Sequence, residues 1–292
     1  MSKTVLVTGG GRGLGRGVAI ALGKAGHEVL LTARSLDAGK AVVDEVKRQA
    51  PSARVEARVL DLSSFASIRA FGAALPEGQR FDTVFHVAGI MQQSAARRLS
   101  ADGFEETLAV NTLAPFLLTH ELLPRIGGGP TPGRVVCVSS RLHLPDSRGV
   151  PVNFDFDDPN LERSYHPERA YKNSKLAVLW FAYELARRVS KERLTVHGVC
   201  PGFVPETGAA STTGMLRFMM RFVLPHLPFA TSAHVAVENL CFTAVDPLLD
   251  ASTGDFWTER RASPSSPQSR DEQDARRFWD WACDMTKTGP WP

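Results

Sequence analysis

Tyr171 and Lys175, in the run ERAYKNSKLAVLWFAYELARRV, place a phenol and an ammonium one helical turn apart, upstream of an apolar helix. Residues i and i+4 share a helix face. An ammonium held beside a tyrosine favours the phenolate, which is expected to bring a reference pKa of about 10 closer to the working pH. Tyr171 is thereby a candidate proton donor and acceptor. On a solvated helix face the same pair would be ordinary surface chemistry, so its meaning depends on the rest of the chain.

Near the other end, VLVTGGGRGLGRGVAIALGKAG reads as a short apolar strand, a glycine-rich turn and an amphipathic helix. That is the context a phosphate-cradling loop requires. Gly9, Gly13 and Gly15, with Leu14 between the last two, have the spacing TGxxxGxG. Glycine permits positive φ and lets backbone amides approach a pyrophosphate at a positively polarised helix N-terminus. Without a ligand, the same residues would be a tight strand-to-helix turn. After the second apolar run, LLTARSLDAGK offers Arg34 and no acid. An acid there would bond a ribose 2′-hydroxyl, whereas an arginine accommodates the 2′-phosphate of NADP. Arg12 inside the glycine loop adds a second cation, and together the two predict NADP(H) as cofactor.

A TGxxxGxG near residue ten and a YxxxK far downstream resemble the short-chain dehydrogenase/reductase family, from about Val5 to Met285. The resemblance implies that Tyr171 is the acid/base, that Tyr171 and Lys175 both contact the cofactor, and that Lys175 binds the nicotinamide ribose and lowers the tyrosine pKa. A serine ending the fifth strand would polarise the substrate oxygen; in RVVCVSSRLH the adjacent Ser139 and Ser140 both fit, and the family pattern favours Ser140. Asn111, in LAVNTLAPFLLTH, matches the asparagine that holds a relay water, and its other reading is a helix-interior side chain bonding locally. Asp61 would hold the adenine amino group with the Leu62 backbone beside it, while Asp61 or Ser63 is also a compatible helix N-cap.

Two segments depart from the family pattern. HVAG from His86 replaces the usual NNAG; Ala88 and Gly89 survive to allow close cofactor approach, and His86 is expected to be a packed histidine without catalytic role. PGFVPETG keeps Pro201, Gly202 and Val204 as cofactor contacts, but Glu206 stands where the pattern has threonine, with Thr207 one step late. The chain also resembles the retinol dehydrogenase and WW-domain oxidoreductase branch, with Tyr171 standing 31 positions after Ser140. YKNSK and the text after Pro201 look like the light-dependent protochlorophyllide reductases too, which reduce a carbon–carbon double bond. The shared implication is a bulky apolar small-molecule substrate.

Between about 203 and 232, Met215, Leu216, Phe218, Met219, Met220, Phe222, Val223 and Leu224 surround Arg217 and Arg221. Such a segment is expected to be a substrate lid, with buried core, a homodimer contact or a membrane-surface helix as alternatives. It is too interrupted by charge and proline for an integral span.

The elements that must position these residues follow from composition and pattern. At 292 residues, 43% hydrophobic and 22% charged, the chain supports one substantial core. A net charge of +3 without a basic run argues against nucleic acid as a partner. Four cysteines without CxxC spacing suggest neither a disulfide framework nor a metal site, and with no signal peptide before the first strand the expected compartment is the cytoplasm. Apolar β-rich runs at Val5–Thr8, Val29–Thr32, Val55–Leu60, Thr83–Val87, Val135–Val138 and Thr195–Cys200 alternate with helical patterns. That alternation predicts a single-domain α/β fold, a Rossmann-type doubly wound parallel sheet. Within a C-terminal extension at about 259–292, the Pro- and Ser-rich run Glu259–Arg270 is expected to be disordered. The functional expectation is NADPH-dependent carbonyl reduction or the reverse; the alternatives are reduction of an activated double bond and a non-catalytic NADP-binding sensor.

Overall fold

The computed structural model describes residues 2–205, 223, 224, 227 and 230–291. Its centre is an eight-stranded sheet: β1 (Thr4–Val7), β2 (Glu28–Ala33), β3 (Val55–Val59), β4 (Thr83–His86), β5 (Gly133–Val138), β6 (Leu194–Cys200), β7 (Asp255–Thr258) and β8 (Arg261–Ser263). The order is β3-β2-β1-β4-β5-β6-β7-β8, parallel except for the β7–β8 hairpin. The six predicted strands are all present, with ends shifted by a residue or two.

Helices cover both faces, which is why these strands are apolar on both sides. In β1, Leu6 points into one core while Val5 and Val7 point into the other, the period of two expected of a strand. Against Val5 and Val7 pack α1 (Gly13–Lys24), α2 (Leu36–Gln49) and a helix at Ala233–Val245. Helix α1 turns Gly15, Val18, Ala19 and Leu22 inward, spaced as a 3.6-residue period requires. Against Leu6 pack α3 (Phe65–Ala73), α4 (Glu106–Leu108), α5 (Ala114–Leu122), α6 (Pro167–Arg188) and a last helix at Glu272–Thr286. In chain order the two late helices are α7 (Ala233–Val245) and α8 (Glu272–Thr286). A π-helical turn, Ala109–Leu113, joins α4 to α5.

The C-terminal extension corrects the expectation of disorder at Glu259–Arg270. Glu259 and Arg260 take left-handed φ values of 51° and 61° to turn the β7–β8 hairpin, and Ala262 pairs with Trp257. A 3-10 turn, Gln268–Arg270, then accepts the Trp180 indole N–H on the Gln268 carbonyl at 2.9 Å. The Arg270 guanidinium lies 3.9 Å from the centre of the Tyr183 ring. This segment has little apolar surface of its own, and its order comes from polar contacts with distant parts of the chain. Helix α8 follows, burying Phe278 and Trp279 against α6, with Trp279 and Phe181 stacked 6.2 Å apart.

The N-cap expectation near Asp61 is also corrected. Ser64 caps α3, accepting from the Ser67 amide at 3.2 Å, while Asp61 closes a local turn by accepting from the Ser63 amide and hydroxyl. His86 is buried as expected, and its Nε2 meets the Thr119 hydroxyl at 2.8 Å, tying β4 to α5. The predicted lid lies almost wholly outside the described residues, as do Glu206 and Thr207. Among the described residues, no helix is long and apolar enough to cross a membrane.

Candidate active site

The direction of chain progression reverses between β1 and β4, so the C-terminal ends of these strands open a crevice at the switch point, where open α/β sheets bind ligands. The glycine loop lies there. Gly9 and Gly13 have φ of 68° and 56°, the left-handed region that favours glycine. A Cβ on Gly15 would stand 2.4 Å from the Gly9 carbonyl oxygen, so only glycine lets α1 begin this close to the loop. Arg12 is the N-cap of α1 and makes no side-chain cap bond, and no acid occupies the first turn. The first amides of α1 are therefore uncapped and their positive end is unopposed, which fits an anionic pyrophosphate. Leu14 is half-buried in that first turn.

The walls of the crevice come from four other strand ends. The Gly10 amide bonds the Thr32 carbonyl at 2.8 Å, fastening the loop to β2, after which Arg34 is exposed. Neither the Arg12 nor the Arg34 guanidinium is engaged by another side chain among the described residues. Leu62 is buried beyond β3 beside half-buried Asp61. The Ala88 amide donates to the Thr8 hydroxyl at 3.1 Å, drawing Ala88 and Gly89 over the loop. Beyond β6, Pro201 and Val204 are buried and Gly202 has φ of 92° with Thr231 against it; the Thr231 amide bonds the Phe203 carbonyl at 2.7 Å.

Helix α6 carries Tyr171 and Lys175 to this crevice. The buried Lys175 ammonium donates to the Val138 carbonyl at 2.9 Å and lies 5.5 Å from the centre of the Tyr171 ring. A Cβ on Gly89 would stand 3.3 Å from Lys175 Nζ and 3.4 Å from Asn111 Oδ1, so Gly89, Lys175 and Asn111 meet at one point. Asn111 does not bond locally: the π-helical turn points it inward, where Oδ1 accepts from the Ile90 amide at 2.8 Å and Nδ2 reaches the Ile90 carbonyl and the Ser174 hydroxyl. Ser174 donates in turn to the Tyr171 carbonyl at 2.8 Å.

The adjacent serines divide the work. Ser139 is buried and donates to the Lys175 carbonyl at 2.7 Å, fastening β5 to α6. Ser140 faces the Tyr171 phenol. Its backbone is extended and its hydroxyl oxygen accepts from the Leu142 amide at 3.3 Å, capping the 3-10 turn Arg141–His143.

Electrostatics depart from the expected direction. Burial pushes the Tyr171 phenol up to about 12, with the Ser140 hydroxyl pulling the other way. Burial also pushes Lys175 down to about 8. Here desolvation outweighs the attraction expected from a shared helix face. The expectation of a lowered tyrosine pKa is corrected accordingly: the phenol is protonated at neutral pH.

Pattern reading missed His143, fully buried and bonded to both the Ser140 carbonyl and the Ser266 amide. The one signal for it was a histidine three residues after a strand-ending serine. A groove of about 300 Å³ lined by Leu144, Val150, Pro151, His166, Arg169 and Asn173 opens beside the start of α6, but neither Tyr171 nor Ser140 lines it.

Glycines that admit a pyrophosphate at the switch point of a doubly wound sheet make this a dinucleotide-binding protein of the Rossmann class. The sequence model of the short chain dehydrogenases matches residues 3–151. Human retinol dehydrogenase 13 is 32% identical over 290 residues, covering 95% of this chain and 82% of its own length. An uncharacterized protein from Mycobacterium paratuberculosis superposes with a TM-score of 0.74 at 28% identity, covering 99% of this chain and 95% of that one. A protein from Beutenbergia cavernae, assigned as an NAD(P)-dependent gluconate 5-dehydrogenase and carrying NADP, superposes at 0.66 with 26% identity over 88% of this chain and 94% of that one. The chain belongs to the short-chain dehydrogenase/reductase family, on its retinol dehydrogenase branch, and is a nicotinamide-dependent oxidoreductase of carbonyls or the corresponding alcohols.

Proposed function

We propose that the protein is an NADPH-dependent reductase, or reversible dehydrogenase, of bulky apolar aldehydes, ketones or their alcohols, with Tyr171 as the acid/base. The observation that carries this reading is the approach of Ser140, just beyond β5, to the Tyr171 phenol, with the Lys175 ammonium 5.5 Å from the centre of the same ring. A nicotinamide cofactor, when bound, supplies or takes up the hydride. Gly9, Gly13, Leu14 and Gly15 would hold its pyrophosphate, Arg12 and Arg34 its 2′-phosphate, and Asp61 and Leu62 its adenine. Ala88, Gly89, Pro201, Gly202 and Val204 would flank the nicotinamide half.

The chain's own groups account for the proton. A phenol held near 12 is fully protonated at neutral pH and is a donor to the substrate oxygen in the reductive direction. The Ser140 hydroxyl oxygen accepts from Leu142, which leaves its O–H to be donated toward the same oxygen. Lys175, its ammonium held near 8 by burial, stays largely protonated and stabilises the phenolate left after transfer. Asn111, in this reading, anchors the water that returns the proton. The bulky apolar substrate rests on the likeness to a protein named for retinol.

A panel of apolar aldehydes, ketones, enones and secondary alcohols, with retinal and retinol among them, tests the reading by reduced-nicotinamide absorbance with NADPH and NADH separately. Turnover of apolar carbonyls with NADPH is expected. Turnover of enones alone, or cofactor binding without turnover of any of them, would reject it. Arg34→Asp is expected to narrow or invert the preference for NADPH. Charge-assisted bonds to a 2′-phosphate are worth about 1.5–3 kcal/mol, roughly 10- to 150-fold in affinity. Fluorescence titration of both cofactors measures it, and equal affinities in the unsubstituted protein would overturn the assignment of Arg34.

A further inference from the structure

We propose that His143 is a positioning residue for Ser140, seated by the C-terminal extension. This deepens the reading above, since it rests on Ser140 as the hydroxyl that orients the substrate oxygen.

The ring is fully buried and uses both nitrogens. Nε2 accepts from the Ser266 amide at 3.2 Å, so the proton of the neutral ring is on Nδ1, which donates to the Ser140 carbonyl at 2.5 Å. The backbone amide of His143 bonds the same carbonyl at 3.2 Å. One residue thus holds the Ser140 peptide twice, while Leu142 in the same turn orients the Ser140 hydroxyl. Burial lowers the His143 pKa below the ordinary histidine value, which keeps the ring in the neutral form this geometry needs.

The seat is rigid. The Ser266 hydroxyl accepts from the Ser269 amide at 3.1 Å and the Ser269 hydroxyl donates to the Ser266 carbonyl at 2.7 Å. Gln268 donates to the Val152 carbonyl at 2.8 Å, and the Phe256 ring packs against the imidazole with centres 4.9 Å apart. Ser266 lies 123 residues beyond His143, so the extension reaches back across the chain to fix the serine.

The two nitrogens can be separated by amide side chains, because asparagine places an N–H where Nδ1 stands and glutamine places an oxygen acceptor where Nε2 stands. His143→Asn keeps the bond to Ser140 and loses the one to Ser266; His143→Gln does the reverse. With NADPH and retinal, His143→Asn is expected to keep kcat within about threefold despite a lower Tm, whereas His143→Gln loses about tenfold or more of kcat with unchanged cofactor affinity. Equal kcat losses in the two, or a larger loss in His143→Asn, would overturn the proposal and leave His143 a purely structural tie. If His143→Gln does not fold, His143→Asn decides alone: a tenfold kcat loss overturns the proposal. Ser140→Ala is measured alongside, and near-unchanged turnover there would instead overturn the reading of Ser140 itself.

Discussion

Tyr171→Phe is expected to lower turnover by about 10²- to 10⁴-fold while leaving cofactor affinity unchanged, the usual range for loss of a general acid. That corresponds to roughly 3–5 kcal/mol of barrier. The glycine loop and the strand ends, expected to make most of the cofactor contacts, are untouched by the substitution, and the Tyr171 ring itself remains. The hydroxyl lost is the one that burial keeps protonated and that Ser140 faces. Steady-state kinetics with a deuterated reduced cofactor is the appropriate measurement, because an isotope effect establishes that the chemical step is being read. Near-wild-type turnover with such an effect would remove Tyr171 from the mechanism.

Acid should unfold this protein early. His86 and His197 are buried, and burial lowers their pKa values from the ordinary 6.5 to about 3 and about 4. The unfolded chain therefore takes up these protons first as pH falls. Stability is fully present above pH 6.5 and is lost progressively toward pH 4 for His197 and pH 3 for His86. Each ring contributes a slope approaching about 1.4 kcal/mol per pH unit once pH is well below 6.5, so the pair costs about 3 kcal/mol between pH 6.5 and 5. Against a typical total of about 5–15 kcal/mol, that is a large share. Urea midpoints at pH 7 and pH 5 measure it; a midpoint that does not fall would show that neither imidazole is held neutral.

Much of the site was legible because its logic is local. A glycine loop between a strand and a helix, and a tyrosine four residues before a lysine, are patterns within one turn of chain, and Gly9, Gly15, Tyr171 and Lys175 lie where those patterns put them. In the sequence the family pattern alone favours Ser140 over Ser139, and the physical reason needed the third dimension, since only packing shows that Ser139 is consumed by the Lys175 carbonyl. The tyrosine pKa went the other way for the same reason: a helix face shows the neighbouring cation but not the desolvation around the phenol. Near Asp61, the two candidate caps, Asp61 and Ser63, are each passed over for Ser64, because which residue caps depends on where the first turn of α3 closes. The extension was misread because Pro and Ser composition speaks of weak burial, while its partners, His143, Val152 and Trp180, are over a hundred or nearly a hundred residues away.

The bond from Ser266 to His143 also orders events in time. A chain is synthesised from its N-terminus, so β1 to β6 and every residue of the glycine loop emerge well before the segment that seats Ser140. During that interval the sheet can form, yet the β7 position beside β6 is unfilled and the imidazole has no amide to receive. Contacts of such sequence separation also form late in refolding. The glycine loop is thus complete before the Ser266 amide reaches His143, and the full stability of the turn that carries Ser140 arrives only after the final elements dock.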